Sequence, residues 1–354
     1  MFEANKTLSL AAVALMGSVA LFTASPALAG DFGEPVVKEV TEDTFIRSEV
    51  DARLLSFQQS GGMNRGVFFA VPTPTDHQVV PRMNRDTLYS GIPVDTSKGF
   101  SVTLPEVPDE RYASIYIIDQ DHYTVDILSV PGTYHFGPQD TRWVVAIPRI
   151  QVRDPNDQTD IKIARNILRQ VHVDSGSAEP LDVSWDWAKM LEMRAEYEAK
   201  ARAFTQYPPT WQDTRASEAT TPEHHRIAVA SSWGLFPDYE TVYILQPSPS
   251  GTNASEVCYT ANYEVPEHEH FWSITMYDSE GYMFSDDRAV LNDGTAEMNS
   301  DGTFTTYYGS KGACGDVPNR MDTVDNFSIL MRVYGPTPSV SAGEYTLPEM
   351  TLVN

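Results

Sequence analysis

The sequence predicts a mainly β protein with helical insertions. It reads as two related antiparallel β-sandwich domains, jelly-roll-like, arising from an internal duplication and joined by a helical segment. Three observations carry this. Most of the chain alternates with period two and is rich in Val, Ile, Thr, Tyr and Phe, with Pro and Gly at the breaks. Short motifs of the first half recur in the same order in the second. The apolar spacing of helices is confined to four stretches. With 354 residues, 17 Tyr, 15 Phe and 6 Trp, the chain has apolar area for more than one full core, which excludes a disordered protein. Two Cys are too few for a disulfide scaffold.

Taken in order, residues 1–29 read as a signal peptide. Lys6 lies in the n-region, Leu8 to Phe22 is apolar, and Ala27-Leu28-Ala29 is a small-x-small cleavage site before Gly30. The apolar run is shorter than the ~20 residues of a bilayer span. Residues 30–354 are therefore expected to be exported, periplasmic or secreted, with no membrane span after signal removal. Residues 30–61 form an N-terminal helical segment: Thr41 can cap a helix over 42–59, with Phe45, Val50 and Leu54 inward and Gly61-Gly62 ending it. Residues 62–154 form the first sandwich, in which Arg111 to Ile118 is a buried strand and 119–122 an acidic turn.

Residues 155–235 form the helical connection. Asn156 or Asp157 can cap a helix carrying Ile161, Ala164, Ile167, Leu168 and Val171. Ser184 can cap the stretch 185–204, with Trp187, Met190, Leu191, Ala195 and Tyr197 on one face. Thr221-Pro222 opens a short helix through Ala230. Residues 236–354 form the second sandwich, with Phe271 to Tyr277 as a strand and 278–281 as a hairpin turn.

The repeat is explicit. Asp86-Thr87-Leu88-Tyr89 is echoed by Glu240-Thr241-Val242-Tyr243, and Glu106-Val107-Pro108 by Glu264-Val265-Pro266. Ser114-Ile115, Asp119, Asp121 and Tyr123 are echoed by Ser273-Ile274, Asp278, Glu280 and Tyr282. Gly132-Thr133-Tyr134 is echoed by Gly302-Thr303-Phe304. Each copy reads as strand, turn, strand, acidic turn, strand.

Acids outnumber bases 49 to 25, a net charge of −24. Such a balance argues against nucleic acid and anionic membranes as partners. In an exported chain Cys258 and Cys314 are expected to form a disulfide, the one intramolecular pairing open to two cysteines.

Comparing the two copies picks out the candidate site. The first copy places Arg85 and His122 where the second has Tyr239 and Gly281. Asn84, Arg85, Asp86, Tyr89 and Arg111 are candidate ligand-binding residues, because two guanidinium groups can hold a carboxylate or phosphate in bidentate geometry. Asp121 and His122 are candidate catalytic residues, with the imidazole as general base. The competing reading is a structural network pairing Arg85 and Arg111 with Asp86, Asp119 or Asp121.

No metal is assigned. Glu267-His268-Glu269-His270 reads as an exposed connection, and the oxygen-rich turns near 286–301 match no full Ca²⁺ loop. Cofactors are expected to be none, the alternative being a structural Ca²⁺ or another divalent metal. Nucleophile-elbow, zincin, Walker and dinucleotide motifs are absent from the sequence.

The same residues carry a family likeness. Asn84-Arg85-Asp86-Thr87-Leu88-Tyr89-Ser90, then Arg111-Tyr112, Asp121-His122-Tyr123, Pro131-Gly132-Thr133-Tyr134 and Asp154-Pro155-Asn156-Asp157, resemble the bacterial domain of unknown function numbered 1254. Gly234-Leu235-Phe236-Pro237, Phe271-Trp272-Ser273-Ile274-Thr275-Met276-Tyr277-Asp278 and Arg332-Val333-Tyr334 resemble its C-terminal companion, numbered 1214. The resemblance implies an exported protein of two β-sandwich domains and brings no activity with it.

Three functions are therefore weighed. The first is binding of a small-molecule or saccharide-like ligand in a cleft of the first domain or between domains, with Trp185, Trp187, Tyr197 and Tyr207-Pro208-Pro209 as wall candidates. The second is an enzyme, a hydrolase or proton-transfer catalyst, acting on an anionic small molecule. The third is a homo-oligomeric envelope structural protein.

Overall fold

The computed structural model describes residues 36–353, apart from 79–80, 209–212, 217–219, 250–253 and 255. The signal-like residues 1–29 lie outside the described residues. In chain order the first half contains β1 (Val37–Lys38), α1 (Phe45–Gly61), β2 (Val67–Phe69), β3 (Thr87–Asp95), β4 (Phe100–Leu104), β5 (Ala113–Asp119), β6 (Thr124–Leu128), β7 (Gly132–Phe136) and β8 (Trp143–Gln151). The connection holds α2 (Gln158–Leu168), β9 (His172–Ser175), β10 (Ser184–Trp185), α3 (Trp187–Ala201) and α4 (Pro222–Ser231). The second half holds β11 (Thr241–Pro247), β12 (Tyr259–Tyr263), β13 (His268–Tyr277), β14 (Val290–Asn292), β15 (Phe304–Tyr308), α5 (Lys311–Cys314), β16 (Arg320–Met321), β17 (Ser328–Pro336), α6 (Pro338–Ser341) and β18 (Thr351–Leu352).

The protein is mainly β and built of several antiparallel sheets. In the first half a five-stranded sheet, β2-β3-β8-β5-β6, packs on a three-stranded one, β7-β4-β9. The apolar set between them includes Ile92, Val102, Ile115, Ile117 and Ala146. In the second half a sheet β11-β17-β13-β14 packs on β16-β15-β12-β18, around Tyr263, Trp272, Ile274, Phe304 and Met331. Seven strands of each half follow the same order, while β2 and β16 have no counterpart. Order β3-β8-β5-β6 matches β11-β17-β13-β14, and β7-β4-β9 matches β15-β12-β18.

Alternation explains why the central strands have no polar face. In β5, Ile115 and Ile117 enter the first core, while Tyr116 and Ile118 point the other way into a second apolar layer. That layer also takes Phe271 and Tyr334 from β13 and β17. The two sandwiches thus meet through the outer faces of their larger sheets, with α1 against the same layer through Val50 and Leu54.

The helices follow the sequence with two departures. Asp157 caps α2 by accepting from Thr159 N (2.8 Å), and Thr221 caps α4 by accepting from His224 N (3.2 Å). Gly62, at φ 84°, ends α1. Thr41 does not cap at residue 42; its carbonyl accepts from Phe45 N, so α1 begins three residues later. The stretch expected to be helical from residue 185 starts at Trp187. Ser184 and Trp185 instead pair in parallel with Val37 and Lys38. The buried face is consequently Met190, Met193 and Tyr197, while Leu191 and Ala195 are exposed. Of the run Glu267–His270, read as a connection, His268 to His270 supply the irregular start of β13, with a register shift between His268 and Phe271. The connecting segment also contributes β9 to the smaller sheet of the first half.

Cys258 and Cys314 are joined by a disulfide that ties α5 to the start of β12. Among the described residues no helix is long and apolar enough to cross a membrane.

Candidate functional site

The layer between the two sandwiches is polar at one end. On β8, Arg149 lies opposite Tyr89 of β3 and Ser114 of β5. On β17, Arg332 lies opposite Tyr243 of β11 and Ser273 of β13. Arg332 is 2% exposed and well supplied with acceptors: Nη1 donates to Thr275 Oγ1 (2.9 Å), and Nη2 to Arg82 O (2.8 Å) and Tyr277 Oη (2.7 Å). Arg149 is 6% exposed, and its Nη2 donates to Gly234 O. Its guanidinium carbon lies 3.9 Å from the Phe236 ring centre and 5.4 Å from that of Tyr89. Gly234, at φ 73°, allows the 232–236 loop to turn back over it.

Three of the residues singled out by sequence converge here. Asp86 is fully buried and accepts from Ser273 Oγ at 2.6 Å, while its Oδ1 has no partner. Burial pushes its carboxyl pKa up, against the opposing pull of Arg332. Asn84 Nδ2 points at Tyr334 Oη (3.5 Å), and its Oδ1 accepts from Asp86 N and Thr87 N. Tyr89 faces Arg149. A reciprocal contact runs the other way: Tyr112 Oη donates to Glu240 Oε1 (2.6 Å) and lies 2.9 Å from Ser114 Oγ.

The other four go elsewhere. Arg85 Nη1 donates to Thr73 O (2.7 Å) and Asp286 Oδ1 (2.9 Å). Arg111 pairs with Asp160 (2.5 Å) and donates to Gln151 O. Asp121 is held by Arg47 (2.5 Å) and Arg215 (2.9 Å). His122 is fully buried, and its Nε2 accepts from Gly234 N (3.1 Å). Adjacent in sequence, Asp121 and His122 thus send their side chains to different partners.

The turn carrying His122 has a counterpart. Asp119 N bonds Tyr123 O and His122 N bonds Asp119 O; Asp278 N bonds Tyr282 O and Gly281 N bonds Asp278 O. His122 and Gly281 occupy the same turn position, at φ 61° and 91°. His225 packs against this turn, with Nε2 3.3 Å from His122 O and its ring 4.6 Å from that of Tyr123. Burial lowers its pKa to about 4.

A cleft of about 610 Å³ runs along β11, an edge strand. Its lining includes Thr205 to Pro208 of the connection, Tyr345 to Leu347 of the C-terminal segment, and Phe236 and Tyr243. Tyr207 and Tyr243 approach edge to face at 6.4 Å. Gln206 serves the free strand edge as a neighbouring strand would: Nε2 donates to Leu245 O (2.7 Å), and Oε1 accepts from Leu245 N (3.3 Å). Trp185 and Tyr197, expected as cleft walls, are buried with α1 and α4 instead, and Trp187 packs against the same cluster.

Sequence reasoning missed Arg149 and Arg332. The signal was available: each is the one charged residue in a buried nine-residue strand, Trp143–Gln151 and Ser328–Pro336.

The N-terminal half matches the family described as "Protein of unknown function (DUF1254)" over residues 63–166. The C-terminal half matches "Protein of unknown function (DUF1214)" over residues 249–338. A protein of known structure from Vibrio parahaemolyticus is similar in fold, with a TM-score of 0.64 and 19% identity over 88% of this chain and 98% of that one. An uncharacterised protein from Burkholderia cenocepacia is similar at 0.52 and 16% identity, over 88% of each chain. No curated protein matches the chain.

Proposed function

As this chain belongs to the proteins that join DUF1254 to DUF1214, families of unknown function, its reading starts from its own geometry, and we propose that it binds a small, saccharide-like molecule in the cleft beside β11. The observation that carries this is the composition of the cleft. Its volume of about 610 Å³ suits a small ligand. Tyr207, Tyr243 and Tyr345 offer ring faces, and Gln246 and Asp238 offer polar groups between them. Gln246 Oε1 is buried without a partner. Ring faces suit the C–H side of a sugar, and amides and carboxylates its hydroxyls.

The protein acts outside the cytoplasm, in the periplasm or secreted. The signal-like residues 1–29 and the Cys258–Cys314 disulfide support this. The two sandwiches descend from one duplicated, jelly-roll-like unit. The matching strand orders and the ordered motif echoes support that origin.

The test is a melting-temperature screen of residues 30–354 against mono- and disaccharides, repeated with Tyr207→Ala. A sugar that raises the melting point in the parent and not in the variant supports the reading. A shift that survives Tyr207→Ala, or none with any sugar, refutes it.

A further inference from the structure

We infer that Arg149 anchors an anion site where Phe236 and Tyr243 line the cleft, and that the bound molecule carries a carboxylate. This rests on the cleft reading and adds the chemistry of one end of its occupant. The first observation is an imbalance. Arg149 is buried, yet it forms no ion pair among the described residues, and Gly234 O is the one acceptor bonded to it. Its Nε is buried without a partner. The Phe236 and Tyr89 rings cover the flat faces of the guanidinium, where they stabilise charge but accept nothing from the N–H edge. Leaving a buried donor unmet costs about 1–3 kcal/mol.

Arg332 serves as the internal control. It holds the same register position in the other half, and protein acceptors meet both of its terminal nitrogens. An unmet Nε recurs at the ion-paired Arg85 and Arg111, so what sets Arg149 apart is the absence of a carboxylate and the shortage of acceptors at its terminal nitrogens.

The second observation concerns the neighbours. Tyr89 stands opposite Arg149 in register, and the phenols of Tyr243, Tyr334 and Tyr112 are close enough to act on its charge. Tyr243 Oη already accepts from Phe236 N (3.2 Å), and Tyr334 Oη faces Asn84 Nδ2 (3.5 Å). Each therefore has its O–H hydrogen left to donate, and no described group accepts it. These hydroxyls add unmet donors beside Arg149, while the buried acid of the layer, Asp86, is taken by Ser273 and drawn toward Arg332. A carboxylate supplies one negative charge, two acceptor oxygens and a planar shape that fits the guanidinium fork.

The third observation is access. Phe236 and Tyr243 line the cleft, the Phe236 ring lies 3.9 Å from the Arg149 guanidinium, and Tyr243 Oη accepts from Phe236 N. A ligand whose neutral body lies against Tyr207 can present its acid end there.

The test uses the smallest matched probes on residues 30–354: acetate, its neutral isostere acetamide, and inorganic phosphate. Acetate is expected to raise the melting temperature, and acetamide and phosphate are not. Arg149→Gln should abolish the acetate effect, and Arg149→Lys should weaken acetate binding about tenfold, because the charge stays and the fork is lost. Should Arg149→Gln fail to fold, Tyr334→Phe removes one O–H at constant volume and should weaken acetate severalfold. Equal shifts with acetate and acetamide, a shift with phosphate alone, no acetate shift, or full acetate binding in Arg149→Gln or Tyr334→Phe overturns the assignment. The two readings fail separately. Tyr207→Ala removes the sugar effect and spares acetate, whereas Arg149→Gln removes acetate and spares a neutral sugar.

Discussion

Arg149 and Arg332 stand at equivalent points of the two halves, each flanked by a tyrosine on one neighbouring strand and a serine on the other. The acids three residues before those tyrosines cross the interface. Asp86 takes the hydroxyl of Ser273 from the second half, and Glu240 takes that of Tyr112 from the first. Each half thus lends an acid to a hydroxyl of the other. The equivalence extends to position but not to bonding, since Arg332 is satisfied by protein groups and Arg149 is not.

Asp86 should make the fold prefer low pH locally. Burial raises its folded pKa above the unfolded value of about 3.9. Its contribution is fully present below that value and is lost as pH rises through the folded pKa. Asp86→Asn keeps an acceptor for Ser273 and removes the titration. Urea unfolding across pH should show the wild type losing ground to Asp86→Asn as pH rises above about 4. Parallel curves would mean that the carboxylate is charged at no cost.

His225 acts in the opposite direction. Its folded pKa, about 4, lies below the unfolded value of 6.5. Its contribution is present above 6.5 and is lost as pH falls toward 4, by up to about 3 kcal/mol. His225→Phe keeps a ring against Tyr123 and should flatten that part of the stability curve. Asp86 and His225 oppose each other above about pH 4, so the wild-type curve alone hides both. The single variants separate them.

How much of this was legible depended on range. The strands, the caps at Asp157 and Thr221 and the pairing of two cysteines are local or combinatorial facts, and the chain displays them. The face of α3 was misread because Ser184 and Trp185 are taken by Val37 and Lys38, some 147 residues away in sequence. No local spacing encodes that pairing. Arg85 and Arg111 are grouped in the sequence because two guanidinium groups can clamp one anion, but tertiary contacts send one to Asp286 and the other to Asp160. The importance of Arg149 comes from register, from what stands opposite it and from the missing acceptor. A sequence shows a lone arginine in an apolar strand but not whether its donors are met.

The disulfide should carry a measurable share of stability. It closes a loop of 56 residues in sequence separation, which the chain-entropy relation places at about 4 kcal/mol. The double variant Cys258→Ala/Cys314→Ala should melt lower by several degrees, and the wild type in reductant should melt with it. If reductant leaves the wild type unchanged, the bond is either inaccessible or absent, and mass measurement after alkylation decides which.

His122 offers a test that separates backbone strain from side-chain bonding. Its φ of 61° is costly for a residue with a Cβ, and the matching position in the second half is Gly281. The imidazole is retained there because its Nε2 meets the otherwise buried Gly234 N–H. His122→Gly relieves the strain, about 1 kcal/mol, but abandons that N–H, which costs about 1–3 kcal/mol. His122→Ala loses the bond and keeps the strain. The expected order of stability is therefore wild type, then Gly, then Ala, read from urea midpoints at constant slope. If Ala equals Gly, the turn relaxes and backbone strain is not what shapes this position. If Gly exceeds the wild type, the bond to Gly234 contributes less than the strain costs, and retention of histidine at this turn would then need a reason other than stability.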